Sequence, residues 1–344
     1  MPVKNLPLEG DSGSSIRGEK EADPVYLLET VNLVKHYNTG GSFSSGKNVK
    51  LRAVDGVSLA LEEGETLGLV GESGCGKSTL ARVILRLEEP TGGKIFYAGE
   101  DITRWKGEKL RKWRKNIQVI FQDAYASLNP RMKVEQIIGE PLVNYRWGNK
   151  KERRQRIAEL VEIVGLEREH LFRYPHEFSG GQRQRIAIAR ALALNPGIII
   201  CDESVASLDV SIQAQILNLL KKLKEEFSLS YLFISHDLAV VKYISDRVAV
   251  MYLGKIVEIV ESSLLTDKAL HPYTRSLLAA VPLPDPDKKT MGDNIIKGEP
   301  PNPISPPEGC RFHPRCPLAE EVCRLKEPML KGAGAQHQVA CHLF

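Results

Sequence analysis

Three groups of residues carry side chains at spacings suited to chemistry. The first is Gly71-Glu-Ser-Gly-Cys-Gly-Lys-Ser-Thr79, a Gly-x4-Gly-Lys-Ser arrangement. Glycines at Gly71, Gly74 and Gly76 let the N–H groups of Glu72, Ser73 and Cys75 converge on phosphate oxygens; Lys77 adds a point charge and the Ser78 hydroxyl can ligate Mg²⁺. The second is a pair of adjacent carboxylates, Asp202 and Glu203, with Gln122 and His236 each placed after an apolar run. Asp202 can hold Mg²⁺ through water, Glu203 can orient and deprotonate a hydrolytic water, and Gln122 can reach the metal or that water. His236 can bond a γ-phosphate. The third is Cys310, Cys316, Cys323 and Cys341, spaced C-x5-C-x6-C-x17-C. Four thiolates suit tetrahedral zinc or a 4Fe–4S cluster, although zinc cysteines are usually paired at closer spacing.

The elements that must position these groups follow from periodicity. Leu67 to Val70 is a short apolar run that reads as a buried strand, and Leu80, Val83, Ile84 and Leu87 mark a helix after the glycine loop. Strand, glycine loop and helix together predict a nucleoside triphosphate site. Ile198 to Cys201 predicts a fully buried parallel strand that delivers Asp202 and Glu203, and Tyr231 to Ile234 predicts another that delivers Ser235-His236. Ile117 to Phe121 predicts the strand before Gln122. Ser179-Gly180-Gly181-Gln182 opens an apolar-periodic segment, with Ser179 as N-cap and two glycines exposing backbone N–H groups. This is a second anion site. One triphosphate rarely needs two, so the segment is expected to serve a nucleotide held by another subunit.

The 344 residues suffice for one large domain and a smaller region, and 42% apolar with 26% charged residues is a globular balance. A net charge of +4 does not call for nucleic acid. No apolar run reaches about 18 residues and the N-terminus is polar, so neither a membrane span nor a secretory signal is expected. Residues 1–24 read as a flexible tail. A strand is expected from Val25 to Val34, ending at Lys35-His36-Tyr37, with Tyr37 either stacking on adenine or capping a sheet edge. Arg104 to Lys115, basic with Trp105 and Trp113, reads as a solvated helix face over packed tryptophans. Val134 to Leu194 reads as helical, with Ile157, Leu160, Val161 and Val164 forming one stripe. Residues 282–309 are a proline-rich connector. Cys75 and Cys201 read as packing residues, and His313, His337 and His342 as solvated loop histidines.

Gly71 to Thr79, Gln122, Phe178 to Gln182, Cys201 to Glu203, Ala206 to Asp209 and His236 fall in an order and spacing that resemble ABC-transporter ATPase subunits, over about residues 25–260. Phe121 to Arg131, Tyr174 to Ser179, Ile212 to Leu220 and His271-Pro-Tyr-Thr274 look like the oligopeptide/dipeptide importer branch, and Gly76 to Arg82 like its second, F-type ATPase subunit. The resemblance implies an α/β fold: a P-loop NTPase head of ABC type (25–262) with an antiparallel β subdomain and a helical subdomain (about 125–190). A small Cys-rich C-terminal extension, within residues 263–344, would follow. It implies ATP and Mg²⁺ as ligands, Gly71 to Thr79 and Tyr37 on one nucleotide, and Ser179 to Gln182 on a paired ATPase subunit's nucleotide. It implies two membrane permease subunits, an extracytoplasmic peptide-binding protein, the cytoplasmic face of the membrane as location, and no nucleic acid. Cysteine tails of this branch resemble ones that hold a 4Fe–4S cluster, with zinc as the alternative. The sequence departs from the usual pattern at Phe178, Ser204 and Ala206-Ser207. Two other classes are alternatives: a soluble ATPase acting on nucleic acid, whose inserted coiled coil or second head this sequence does not show, and a regulatory subunit with a degenerate site.

Overall fold

The computed structural model describes residues 26–39, 49–280, 298–334 and 336–344. The expected flexible tail, most of a Gly/Ser-rich loop expected from Asn38 to Lys47 and the first half of the proline-rich connector lie outside them.

Among the described residues the chain builds two sheets. Strands β1 (Leu28–Thr39) and β2 (Val49–Leu61) pair antiparallel, and β4 (Gly92–Tyr97) and β5 (Glu100–Asp101) extend that sheet in the order β2-β1-β4-β5. β1 runs on through Lys35, His36 and Tyr37, where the sequence predicts its end, because each still pairs across to β2. Polar residues are tolerated there since the sheet is solvated on one face.

The second sheet has eight strands. Its parallel part contains β3 (Thr66–Val70), β6 (Ile117–Ile120), β7 (Ile198–Asp202), β8 (Ser230–Ser235) and β9 (Arg247–Tyr252), ordered β9-β3-β8-β7-β6. All residues of β3, β7 and β8 are buried, as expected for strands covered on both faces. Their crossovers include α1 (Lys77–Ile84), α2 (Gly107–Trp113), α3 (Ala124–Ser127), α4 (Val134–Asn144), α5 (Lys150–Ile163), α6 (Gly180–Leu192), α7 (Val210–Phe227) and α8 (Leu238–Ile244). Helices α3 to α6 make the helical subdomain. Ile157, Leu160, Val161 and Val164 are buried in it, and Asn149 caps α5 by accepting from the N–H groups of Lys151 and Glu152. Trp113 is buried and Trp105 packs against the same core, so the basic run between them is a solvated helix face.

The far edge of this sheet is built by the C-terminal region. β10 (Lys255–Glu261) pairs antiparallel with β9 on one side and with β12 (His337–Val339) on the other; β11 (Lys331–Gly334) completes the edge. Short helices α9 (Leu265–Lys268), α10 (Pro272–Ala279) and α11 (Glu321–Leu325) lie between. The extension is thus continuous with the head. Phe312 is buried at ring-centroid distances of 5.3 Å from Tyr252, 5.4 Å from Tyr273 and 5.7 Å from His271. Arg311 donates to the Leu253 carbonyl and to the Asp55 carboxylate, which also meets His36 at 2.9 Å. His337 is buried, not solvated as the sequence suggests. Its Nε2 lies 2.8 Å from Glu258 Oε1, and that fully buried carboxylate also accepts from the N–H groups of Leu270 and His271. Burial holds the His271 imidazole pKa down at about 3, so it is neutral.

Candidate nucleotide site

The glycine loop joins β3 to α1 and is wedged between two other strands. A Cβ at Gly71 would lie 2.1 Å from the Met251 carbonyl oxygen, and one at Gly76, whose φ is +111°, would lie 2.1 Å from that of Ala53. These glycines are therefore required by the protein's own backbone, beyond any approach of a phosphate. Lys77 is buried at 4% exposure, and its Nζ donates to the carbonyls of Gly71 (2.8 Å) and Glu72 (3.1 Å), which fixes the ammonium over the loop.

The parallel strands aim their C-terminal ends at this loop, the usual position of a ligand crevice in such sheets. Asp202 ends β7, and its Oδ1 accepts from Ser78 Oγ at 3.0 Å. Burial pushes the Asp202 carboxyl up, against the Ser78 hydroxyl, Arg82 and Lys77, which pull it down. A hydroxyl and a carboxylate facing each other are a hard-oxygen donor pair that fits Mg²⁺, and a bound cation would offset the burial that disfavours the charged form.

Glu203 follows in the left-handed region at φ +48°, with its N–H bonded to the Ile234 carbonyl at 2.9 Å. That kink turns its side chain out of the sheet, where it accepts from Gln122 Nε2 at 2.9 Å and meets His236 Nδ1 at 3.5 Å. Non-glycine residues held at such φ values cluster at functional sites. Three side chains from the ends of β6, β7 and β8 thus meet beside the loop. A cavity of ≈ 320 Å³ is lined by Tyr37, Ser73, Gly74, Cys75, Gly76, Lys77, Ser78, Thr79, Gln122 and Glu203, together with Leu51 to Ala53, Leu253, Gly254 and Pro303. Tyr37 donates its hydroxyl to Glu88; burial first, and that carboxylate next, push its phenol pKa up.

Not all predicted residues converge. Ser179 caps α6, accepting from the Gln182 N–H while Gln182 returns the bond to the Ser179 N–H, and neither they nor Gly180 and Gly181 line this cavity. Ser179 and Gly180 face solvent. Ser204, one of the departures from the family pattern, is buried, and Ala206 and Ser207 are exposed. Sequence reasoning missed Pro303, Arg315 and Tyr273. Pro303 lines the cavity, Tyr273 Oη accepts from the Glu72 N–H at 2.9 Å, and Arg315 binds the Glu72 carboxylate. No local motif marks Pro303 or Arg315, and Tyr273, inside His271-Pro-Tyr-Thr274, was read as a mark of the family branch and not as a contact of the loop.

The cysteine tail differs from expectation. Cys323 is buried and Cys310, Cys316 and Cys341 are half-buried. Burial first, and the neighbouring cysteines next, push the Cys310 thiol up to about 11; burial raises Cys316 and Cys341 too, each again influenced by the others. Yet among the described residues no group of three or more His, Cys, Asp or Glu side chains is arranged to hold a metal ion, so the expected ligand tetrad is not formed. The tail's backbone is set instead by Arg311, Phe312 and β12. His313 Nδ1 lies 2.9 Å from the Cys310 carbonyl and His342 Nε2 lies 2.7 Å from that of Lys326. Cys75 and Cys201 are buried in the core, with Cys201 pushed by burial to about 12.

The ABC transporter family model matches residues 54–206, and that of the oligopeptide/dipeptide transporter C-terminal region matches 257–323. The chain is 52% identical to the oligopeptide transport ATP-binding protein AppF of Bacillus subtilis (strain 168), over 94% of this chain and 99% of that one. It is 51% identical to the oligopeptide transport ATP-binding protein OppF of Salmonella typhimurium (strain LT2), over 92% and 95%. A solved dimeric, post-hydrolysis structure of the ATP-binding cassette MJ0796 bound to ADP and Pi superposes with a TM-score of 0.61 at 31% identity, covering 68% of this chain and 98% of that one. No helix among the described residues is long and apolar enough to cross a membrane. The chain belongs to the ATP-binding subunits of the oligopeptide/dipeptide ABC transporter family.

Proposed function

We propose that this subunit binds Mg·ATP between its glycine loop and Gln122, hydrolyses it, and so energises import of di- and oligopeptides. The carrying observation is the meeting of Gln122, Glu203 and His236 at three strand ends beside Lys77 and the Ser78–Asp202 pair. Lys77 and the loop N–H groups hold the β- and γ-phosphates, and Ser78, Asp202 and Gln122 are the residues that would hold Mg²⁺. Bound there, Mg²⁺ would supply neutralisation of the phosphate charge. Glu203 is the general base and takes a proton from the water that attacks the γ-phosphorus as the bond to ADP breaks, Gln122 orients that carboxylate, and His236 bonds the γ-phosphate. Tyr37 offers its ring to adenine at the cavity mouth.

The separation of Ser179–Gln182 from the cavity supports a head-to-tail pairing with a homologous ATPase subunit, a heterodimer in our reading, whose nucleotide this segment contacts. Two transmembrane permease subunits would carry the motion across the membrane, with this subunit peripheral at its cytoplasmic face and a peptide-binding protein outside. Peptide cargo rests on the names of the relatives. Identity near one half over more than nine-tenths of the chain favours this reading over a nucleic-acid ATPase, and the intact catalytic side chains favour it over a degenerate regulatory subunit.

Glu203→Gln tests the proposal. Turnover should fall by about 10²-fold or more, the scale of a lost general base, while ATP binding and ATP-dependent dimerisation persist. Normal turnover would remove Glu203 from its role.

A 4Fe–4S cluster on Cys310, Cys316, Cys323 and Cys341, or zinc in its place, is the finer part of the proposal. Four cysteines within the last 35 residues support it; the lack of ligand geometry among the described residues opposes it. Iron, sulfide and zinc analysis of anaerobically purified protein decides. Iron with equal sulfide supports the cluster, colourless zinc the alternative, and a metal-free tail removes both.

A further inference from the structure

We propose that Arg315, far outside the glycine loop in sequence, is a positioning residue for nucleotide binding: it clamps the Glu72 carboxylate and keeps its charge off the phosphate site. This rests on the ATP reading above. Glu72 is the first variable residue of the loop, and a free carboxylate there would repel a triphosphate. Arg315 answers it with a two-pronged fork, Nη1 to Oε2 at 2.8 Å and Nη2 to Oε1 at 3.0 Å. Its side chain is 7% exposed and Nη1 also reaches Tyr252 Oη at 3.4 Å, so the fork is held rather than sampled. Such bidentate pairs fix geometry as well as charge.

Glu72 is further pinned through its backbone, the N–H to Tyr273 Oη and the carbonyl to Lys77 Nζ. One residue therefore links the C-terminal region to the phosphate-binding lysine. The same region reaches the nucleotide cavity a second time. Pro303 lines it and accepts from the Arg52 N–H at 3.3 Å, and a cavity of ≈ 480 Å³ separates Glu72–Cys75 from Glu299–Pro303. The C-terminal region thus faces the loop across that space and touches it through Arg315 and Tyr273 at Glu72.

The test is ATP affinity of the full chain, measured with a fluorescent ATP analogue at fixed Mg²⁺, beside the unfolding midpoint. Arg315→Met should weaken binding about tenfold, equivalent to about 1.4 kcal/mol. Glu72→Gln alone should tighten binding, because it removes a negative charge at the loop and leaves the Arg315 charge uncompensated there. The double variant should return to within about threefold of wild type. Arg315→Lys, which keeps the charge and loses the fork, should fall between. A purely packing role predicts instead that the double variant is at least as weak as Arg315→Met, and that result overturns the proposal, as does unchanged affinity in Arg315→Met. If Arg315→Met does not fold, Glu72→Gln decides alone, weaker or unchanged binding being the refuting result. Lys77→Ala separates the two levels: if it retains ATP affinity, the site itself is misplaced; if it loses it while the Arg315 series is flat, only the clamp fails.

Discussion

Replacing Phe312 with alanine measures how firmly the C-terminal region is joined to the ATPase head. The ring is 1% exposed and lies edge-on to Tyr252, with an interplanar angle of 89°, and tilted at 56° to Tyr273 and His271. All three neighbours belong to β9, α10 or the turn before α10, inside the main core. Truncating a buried phenylalanine costs about 3–5 kcal/mol, the lost transfer energy plus the cavity left behind. Each aromatic pair contributes about 0.5–1.5 kcal/mol of that. At about 2–4 °C per kcal/mol for a domain of this class, the midpoint should fall by about 6–20 °C. Leu325→Ala is the internal control: its side chain is 77% exposed, and the expected change is within about 0.5 kcal/mol. Urea unfolding of full-length protein, followed by far-UV circular dichroism, reads both. A loss below about 1 kcal/mol for Phe312→Ala, or equal losses for the two variants, would refute the claim that the extension shares the head's core.

Gly71→Ala should abolish nucleotide binding and lower the unfolding midpoint together, since the new methyl would meet the Met251 carbonyl at 2.1 Å; wild-type affinity in a titration would sink the wedge argument. Asp55 should make stability acid-sensitive. Burial alone would raise its pKa, but His36, Arg311 and Lys255 outweigh burial and hold it below the ordinary 3.8. A depressed folded value means the contribution is complete above 3.8 and is lost as pH falls through the folded value. Asp55→Asn should therefore be less stable at neutral pH and lose less on acidification. Parallel acid slopes for the two proteins would contradict the pairing. Glu258→Ala should cost about 1–3 kcal/mol for each buried donor it strands, and because His337, Leu270 and His271 all donate or face it, its unfolding midpoint should fall further than that of His337→Ala.

The chemistry of the site was legible because parallel strands write it locally. An apolar run followed at once by its functional residue, as in Ile198 to Glu203 or Tyr231 to His236, states both that the strand is buried and what it delivers. The glycine loop was legible for a reason only half right: Gly71 and Gly76 read as phosphate contacts, whereas the folded chain also needs them to pass the carbonyls of Met251 and Ala53. Nothing near residue 71 or 76 in the sequence announces those neighbours. Tyr37 misled for a related reason. A lysine and a histidine before it suggest a strand end, but ladder pairing depends on the backbone of β2, which local polarity does not report.

The C-terminal region was hardest to place, and the physical cause is that its contacts are both polar and distant. Arg315 meets Glu72 across 243 positions, Arg311 meets Asp55 across 256, and His337 meets Glu258 across 79. In sequence these are charged residues in a proline- and cysteine-rich stretch, a composition that argues for a separate module needing a staple. Folded, the opposite charges are already supplied by the head, and β12 finds an open antiparallel edge at β10. An exposed edge of that kind is a liability unless something covers it. The extension covers it, and the same chain segment that closes the sheet brings Arg315 to the phosphate loop. Closure of the edge and seating of the loop are thus one structural event, so variants that loosen β12 or Phe312 should weaken ATP binding even though neither touches the cavity.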